Sequence, residues 1–370
     1  MHTKMGCMVF LRYSSFLFIH VFFSIFSFCF SEAQVVPAVY MFGDSLVDVG
    51  NNNYLPLSIA KANHRHYGID FPNQTPTGRF SNGNNAADFI AEKLGLPTSP
   101  PYLFLISKDN KNNVSFMDGV SFASAGAGIF DGTDQRYRQS IPVTKQVDYF
   151  ESVNEEMTHE VGAPALLKHL SKSIFGVVIG SNDIFGYFDS PNLRKKSTPT
   201  QYVDSMLFSL KVQLQRLYDH GARKFEVVGV GALGCCPKFR LKNQTECFEE
   251  ANYWSIQYNE RLQSLLKEWQ IENKDIRFSY FDTYAALTDL TQNPTSYGFA
   301  EVKAACCGLG ELKAKAPCLP VSSLCPNRQD HIFWDQFHPT EAASRIFVDR
   351  IFNGPSTYTS PITLKQLVAA

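Results

Sequence analysis

The chain has 370 residues, of which 44% are hydrophobic and 19% are charged, and its formal net charge is -1. This length allows one large hydrophobic core or two modest ones. The near balance of charge gives no sign of the basic face or stripe that is typical of nucleic-acid-binding proteins, so no nucleic-acid partner is expected.

The first 33 residues differ from the rest of the chain. Two basic residues precede an apolar, Phe-rich stretch at 13–30, and in Ser31-Glu32-Ala33 small residues occupy the two positions that a signal peptidase reads. This pattern predicts a signal peptide at 1–33. The alternative is an uncleaved membrane anchor, because the apolar stretch is just long enough to span a bilayer. After cleavage we expect a secreted protein, extracellular or in the cell wall, with no stable membrane span.

The remaining chain carries seven cysteines: Cys235, Cys236, Cys247, Cys306, Cys307, Cys318 and Cys325. In an oxidising compartment these favour disulfides, and no Cys-x-x-Cys pair or comparable ligand cluster indicates a metal. The odd count leaves at least one thiol unpaired or intermolecular. Three glycosylation sequons are compatible with the same compartment, at Asn73, Asn113 and Asn243.

Strand-like and helix-like segments alternate after the proposed cleavage point. Short apolar strands are predicted at 35–42, 119–123, 173–179, 224–230 and 276–281. Helices are predicted at 85–94, from about 144, and at 200–220, 249–270 and 339–352. Strands separated by helices predict a three-layer α/β/α sandwich, with a central parallel sheet of about five strands.

The domain organisation is predicted to be simple. No repeat, low-complexity segment or linker divides residues 34–354, which we interpret as one domain. The cysteine-rich segment 306–328 is expected to be a disulfide-pinned excursion on its surface. Residues 355–370 contain Pro and Thr and are expected to form a flexible tail.

Polar or glycine turns follow three of the predicted strands, and the first presents Ser45. A serine hydroxyl becomes a good nucleophile only when a neighbouring base accepts its proton. Among nine histidines, His338 has the most suitable setting, because Asp335 precedes it by three residues in a loop before a helix. We expect Asp335 to fix the tautomer of His338, and His338 to act as general base and then general acid.

Acyl transfer also needs donors for the oxygen that becomes negative. Ser45 and Gly126 offer backbone N–H groups, and Asn182 offers a side-chain amide. Alone, Gly126 is typical of a glycine turn, Asn182 of an Asx-turn, and Asp-x-x-His of many surface loops. Because parallel strands place their carboxyl ends at one edge of a sheet, the set predicts an oxyanion hole.

Six sequence blocks carry a family resemblance, and they lie at 42–53, 119–128, 178–183, 234–237, 305–308 and 333–340. In this order, over about residues 37–352, the chain resembles the plant branch of the GDSL esterase/lipase family, in the SGNH hydrolase superfamily. The resemblance implies a flavodoxin-like SGNH fold and a Ser45-His338-Asp335 triad. It also implies oxyanion donors at Ser45, Gly126 and Asn182, and a small ester, lipid or acylated-carbohydrate substrate.

Two positions in the second block depart from the family pattern. Ser121 and Ala125 replace an asparagine and a glycine. Neither position is catalytic in the family, but both bear on the loop that carries Gly126. The resemblance also implies a disulfide between Cys235 and Cys247, since Cys235 fits the family's cysteine position better than Cys236.

Other functional patterns are weaker. The segment 229–234 matches a dinucleotide fingerprint, but the Cys-Cys-Pro sequence at 235–237 is a poor helix opening. We therefore expect no cofactor. Asp44, Asp48 and Asp183 are expected to hold turns through local hydrogen bonds rather than to transfer protons.

The leading hypothesis is a secreted serine esterase or lipase that works through an acyl-Ser45 intermediate. An acyltransferase would use the same intermediate but give the acyl group to a sugar or lipid alcohol. A non-catalytic wall or ligand-binding protein is a third possibility, which an intact triad disfavours. The sequence indicates neither the natural ester nor the oligomeric state.

Overall fold

A computed structural model of the protein describes residues 36–110, 115–133, 135–243 and 245–370. The proposed signal peptide at 1–33, its alternative as an uncleaved anchor, and Asn113 lie outside the described residues. Within the described ranges, no helix combines the length and the apolar character that a bilayer crossing needs. Asn73 and Asn243 are both exposed.

The strands are short and the helices are amphipathic. In chain order the described strands are β1 Val39–Gly43, β2 Val120–Ser121, β3 Ile174–Val178, β4 Lys224–Val228, β5 Arg277–Phe281, β6 Glu301–Ala305, β7 Cys307–Gly308, β8 Ser323–Leu324, β9 His331–Phe333 and β10 Thr359–Ser360. The α-helices are α1 Ala86–Lys93, α2 Tyr102–Leu105, α3 Val143–Val161, α4 Ala163–Leu170, α5 Ser181–Asp189, α6 Pro191–Lys196, α7 Pro199–Asp219, α8 Pro237–Arg240, α9 Glu249–Glu272, α10 Thr283–Gln292, α11 Glu341–Asn353 and α12 Leu364–Ala369.

The central sheet has the strand order β10-β5-β4-β3-β1-β2. Its five strands β2-β1-β3-β4-β5 are parallel, and β10 pairs antiparallel with β5. The parallel strands form the order found in flavodoxin-like folds, in which ligands bind beyond the carboxyl ends of the strands. The predicted α/β/α architecture and its five parallel strands are confirmed.

Helices cover both faces of this sheet. Successive side chains of a strand point to opposite faces, so Tyr40 and Phe42 pack in one core with α3, α7 and α9. Val39 and Met41 pack in the other core with α1, α11 and α12. This double cover explains why the strands are mainly apolar rather than regularly alternating.

The C-terminal residues correct one prediction. Residues 355–370 do not form a flexible tail, because β10 extends the sheet and α12 packs on it. Leu364, Leu367 and Val368 are buried at helical spacing, and the Nζ of Lys224 donates a 2.9 Å hydrogen bond to the carbonyl of Val368. These contacts incorporate the segment into the second core.

Three disulfides confirm the cysteine predictions. Cys306–Cys325 and Cys307–Cys318 pin the excursion at 306–328, and Cys235–Cys247 is the bridge that the family resemblance implies. Among the described cysteines, Cys236 is the free thiol, and it is buried. The excursion contains the β7–β8 pair and packs against the loop that carries Tyr67.

Candidate active site

The turn that presents Ser45 depends on a close contact between two strands. A Cβ on Gly43 would lie 2.4 Å from the carbonyl oxygen of Val178. Glycine therefore allows the Asp44 N–H to donate a 3.1 Å hydrogen bond to that oxygen. The side chain of Asp44 accepts from the N–H of Leu46 at 3.0 Å, and the turn begins at the carboxyl end of β1.

The predicted triad residues are in hydrogen-bond contact. The distance between Ser45 Oγ and His338 Nε2 is 2.7 Å. On the other side of the ring, His338 Nδ1 lies 2.7 and 2.8 Å from the two carboxylate oxygens of Asp335. The structure thus brings together two segments that are 293 positions apart in the chain.

The Asp335 carboxylate is buried, but it accepts several hydrogen bonds from protein donors. Its Oδ1 also accepts from the N–H groups of Phe337 and His338, each at 3.0 Å. Burial alone would raise the pKa of Asp335, but the adjacent His338 and these donors bring that pKa below its ordinary value. The carboxylate is therefore ionised where it meets the imidazole.

The three expected oxyanion donors follow three different strands: Ser45 and Gly126 lie in turns, and Asn182 lies in the first turn of α5. In the described part of the chain, no acceptor binds the N–H of Ser45 or of Gly126. Gly126 has a φ of +81°, and a Cβ there would lie 2.9 Å from the ring of Tyr137, so glycine suits the position. Asn182 Nδ2 donates one hydrogen to the carbonyl of Ala127 at 2.9 Å, and an amide nitrogen carries two.

Residues 39–351 match the family described as GDSL-like lipase/acylhydrolase. The chain belongs to this family. A GDSL esterase/lipase of Arabidopsis thaliana is 53% identical over 340 residues, which cover 90% of each chain. Two further Arabidopsis thaliana GDSL esterase/lipases are 40% identical over 349 residues and 39% identical over 341 residues. They cover 91% and 90% of this chain, and 92% and 87% of the relatives.

The GDSL family consists of serine carboxylic-ester hydrolases, and this chain shares their mixed α/β fold with a mostly parallel sheet. The family assignment therefore confirms the predicted ester-hydrolase class. Within the described residues, no cluster of three or more His, Cys, Asp or Glu side chains is arranged to hold a metal ion.

Tyr67 contacts Asp335 of the predicted triad although no pattern in the sequence marks it. Its hydroxyl donates a 2.8 Å hydrogen bond to Oδ2 of Asp335. Burial and the nearby carboxylate raise the pKa of Tyr67 well above its ordinary value, so the hydroxyl keeps its proton. The ring of Phe80 packs against His338, with the two ring centroids 4.9 Å apart.

Gln146 is a second positioning residue that the sequence did not indicate. It is fully buried on α3, where its Oε1 accepts from the N–H of Gly43 and its Nε2 donates to the Gly43 carbonyl, both at 2.8 Å. These bonds hold the strand end just before the GDSL serine. The only sequence signal is a polar residue beside Val147 on the apolar face of the helix.

The side chains of Asp48 and Asp183 were expected to make local hydrogen bonds, but both also accept hydrogen bonds from distant parts of the chain. Asp48 accepts from Gly50 and Asn51, but its Oδ2 also accepts from the N–H of Ala125 at 3.0 Å. Asp183 accepts from three more distant groups, on Ile129, Phe130 and Thr133. Burial raises the pKa of each carboxyl to about 6, against the opposing effect of these donors. Asp48 and Asp183 thus connect the segments that carry Ser45 and Asn182 to the Gly126 loop.

Ser121 and Ala125, the two departures from the family pattern, do not remove the hydrogen bonds that anchor the Gly126 loop. Asn51 Nδ2 donates to the backbone carbonyl of Ser121 at 2.8 Å, and Asn52 Nδ2 donates to the carbonyl of Ala125 at 2.9 Å. The N–H of Ala125 binds Asp48. Since these bonds use backbone atoms, replacing the side chains at 121 and 125 preserves them.

The segment at 229–234, which matches a dinucleotide fingerprint, packs closely against α9 and the residue that precedes it. The N–H groups of Val230 and Gly234 donate to the side chains of Asn259 and Asn252, each at 2.9 Å. A Cβ on Gly234 would lie 2.1 Å from the carbonyl oxygen of Phe248. These glycine-rich residues therefore serve close contact with α9 rather than phosphate binding.

Proposed function

We propose that the protein is a secreted hydrolase of carboxylic esters, in which Ser45 attacks the ester carbonyl and becomes acylated. The observation that carries this proposal is the continuous hydrogen-bond chain from Ser45 Oγ through His338 to Asp335. Such a chain activates a serine hydroxyl that is otherwise a weak nucleophile. The substrate class is an ester, a lipid or an acylated carbohydrate.

In the acylation step, His338 Nε2 accepts the proton of Ser45 Oγ as the new C–O bond forms. The same nitrogen then gives that proton to the leaving alcohol as the old ester bond breaks. Asp335 holds the opposite nitrogen protonated and stabilises the imidazolium. In deacylation, His338 activates a water molecule, which releases the acid and restores Ser45.

The negative oxygen of each tetrahedral intermediate binds to the N–H groups of Ser45 and Gly126 and to the second amide hydrogen of Asn182. The support for this assignment is that the first two groups have no acceptor among the described residues, and that the third is oriented by Ala127. Donors fixed in advance stabilise charge without reorganising during the reaction.

The proposed location is the extracellular space or the cell wall. Three disulfides favour an oxidising compartment. Exposed Asn73 and Asn243 are accessible for glycosylation, which we propose there and at Asn113. Cleavage of residues 1–33 during secretion is part of the same proposal, and the N-terminal sequence of the secreted protein tests it.

The decisive experiment compares the purified protein with Ser45→Ala on p-nitrophenyl butanoate. We expect kcat to fall by about 10⁴-fold or more, because removing a triad nucleophile removes the covalent pathway. Ser264→Ala, at an exposed helix position, is the matched control and should keep full activity. Equal rates for Ser45→Ala and the unsubstituted protein would overturn the proposal. Product analysis with added glycerol should give mainly free acid, whereas mainly glyceride would indicate acyl transfer.

A further inference from the structure

An apolar cavity of about 110 Å³ adjoins the triad. Ser45 and His338 form one part of its wall. The rest lies beyond the carboxyl ends of β3, β4 and β5 and between α1, α10 and α11, and it includes Ala86, Ile90, Phe347 and Ile351. The cavity is thus continuous with the reacting serine and extends into the second core of the fold.

The polar and apolar residues of the cavity wall are unevenly distributed. Its acidic and imidazole groups, Asp44 and His338, lie in the catalytic segments, and the deeper wall within the described chain is mainly aliphatic and aromatic. Cys236 also lines it, and burial raises the pKa of that thiol to about 12, so it stays neutral. An apolar pocket of this kind favours a hydrocarbon group and disfavours a charged or hydroxylated one.

We propose that this cavity binds the acyl chain of the substrate, and that Ala86 and Ile351 set the chain length it accepts. The inference rests on the proposed function, since the chain must be attached to the carbonyl that Ser45 attacks. It deepens that function by selecting esters of short, unbranched, uncharged fatty acids over acetyl esters of carbohydrates.

The volume limits the length of the chain. A cavity of about 150 Å³ in another protein holds benzene, which has six carbons, so about 110 Å³ holds roughly four or five. Butanoyl and pentanoyl groups fill such a space. An acetyl group leaves most of it empty, and an octanoyl group exceeds it.

The two proposed length-setting residues lie on different helices. Ala86 begins α1 beside Asn85, whose Nδ2 donates to the Asp48 carbonyl, so it is close to the nucleophile turn. Ile351 lines the same cavity from α11. The two side chains therefore reach the cavity from two different helices.

The test measures kcat/KM for p-nitrophenyl esters with acyl chains of two to twelve carbons. For the unsubstituted protein we expect a rise of about fourfold per methylene from acetyl to butanoyl, which follows from burial of each group, and a fall beyond hexanoyl. Ala86→Leu should move the optimum to a shorter chain by one or two carbons. Ile351→Ala should move it to a longer chain by a similar amount.

Val348→Ala is the matched control for Ile351→Ala. Both substitutions remove buried aliphatic groups from α11, but Val348 does not line the cavity. The control should therefore keep the chain-length optimum while losing comparable stability. An optimum that stays in place in Ile351→Ala and in Ala86→Leu would overturn the proposal.

A second measurement does not depend on how the variants fold. Straight-chain carboxylates of two to ten carbons are tested as competitive inhibitors of the unsubstituted protein, and inhibition should be strongest at four or five carbons. Rates that require Ser45 but show no dependence on acyl or inhibitor length would overturn the acyl-chain assignment alone. Rates unchanged in Ser45→Ala would overturn the proposed function, and the acyl-chain assignment with it.

Discussion

The hydroxyl of Tyr67 donates a 2.8 Å hydrogen bond to the Asp335 carboxylate from 268 positions away in the chain. Tyr67 packs edge-on against Phe80 and Trp334, and the same cluster contains the four cysteines of the excursion at 306–328. The acid of the proposed triad is therefore supported by a buried aromatic cluster, which the disulfides of the excursion hold together.

Tyr67→Phe should alter the pH dependence of ester hydrolysis. Removing the donor concentrates the negative charge of Asp335 toward His338, which favours the imidazolium form of the ring. The acid limb of the kcat/KM profile should then move to higher pH by a few tenths of a unit, and kcat at neutral pH should fall severalfold, as is common for residues that orient a catalytic group. Stopped or continuous aryl-ester assays between pH 4 and 9 measure both effects.

Tyr187→Phe is the control for this substitution. It removes another buried tyrosine hydroxyl, which donates to the Ser197 carbonyl at 2.9 Å and does not contact the triad. The control should keep the position of the acid limb. If Tyr67→Phe and Tyr187→Phe gave the same pH profile, Tyr67 would have a structural role only.

Asp48→Asn should weaken stabilisation of the oxyanion. The Asp48 carboxylate accepts from Gly50, Asn51 and Ala125 at once, and an asparagine amide would turn a donor toward one of these N–H groups. Displacing the Gly126 loop should lower kcat by about 10- to 100-fold with a smaller change in KM, since losing one oxyanion donor costs about 100-fold or more.

Steady-state kinetics on p-nitrophenyl butanoate check this prediction. Asp275→Asn is the control, because it removes a carboxylate that pairs with Arg223 at an exposed site. An unchanged kcat in Asp48→Asn would show that Asp48 does not position the loop.

Loss of the Cys307–Cys318 disulfide should lower stability and activity together. The bridge closes a loop of 11 positions, for which chain-entropy estimates give about 2–4 kcal/mol of stabilisation. The double substitution Cys307→Ser and Cys318→Ser should therefore reduce the free energy of unfolding by about that amount, as measured by urea denaturation. The Tyr67 cluster should loosen, and kcat should fall. Ser264→Ala, at an exposed helix position that leaves the three described bridges intact, is the control, and comparable losses in both variants would contradict the prediction.

The features that the sequence could predict depend on local patterns. Each of the five parallel strands is a short apolar run that ends at a glycine or polar residue, and each long helix has an apolar face of period 3.6. Ser45, Asp335 and His338 could be proposed because their chemistry demands particular neighbours within a few positions. The geometry that joins them follows from the parallel sheet, which places the relevant loops at one edge.

The missed features depend on long-range contacts. Tyr67 acts through a residue 268 positions away, and Asp183 binds a loop more than 50 positions earlier. Strand β10 has only two residues, too few for an alternating pattern, and it forms because β5 offers an unpaired edge. Gln146 also donates to the nearby Ile141 carbonyl, but its two hydrogen bonds to Gly43 span 103 positions. Such residues become recognisable only after the fold has brought their partners together.

The packed C-terminal segment gives a prediction about stability at low pH. Asp289 on α10 accepts hydrogen bonds from Tyr358 at 2.8 Å and from Arg350 at 2.6 Å, and it also binds Tyr297 and Asn293. Burial would raise the pKa of Asp289, but these four donors lower it to about 2, from an ordinary value of 3.8. A carboxyl whose pKa is lowered by folding stabilises the protein above its unfolded pKa, and this contribution is lost as the pH falls through the folded pKa.

Asp289→Asn should therefore reduce the free energy of unfolding by about 1–2 kcal/mol at pH 7, in the range expected for hydrogen bonds to a partly exposed charged group. The difference from the unsubstituted protein should shrink as the pH falls from about 4 to 2, because protonation removes the same charge. Asp349→Asn is the control, since its pair with Lys93 is surface-exposed and should contribute less than 1 kcal/mol. Urea denaturation at several pH values measures these differences in the free energy of unfolding. If the difference between Asp289→Asn and the unsubstituted protein stayed constant down to pH 2, the charge of Asp289 would not hold the C-terminal segment.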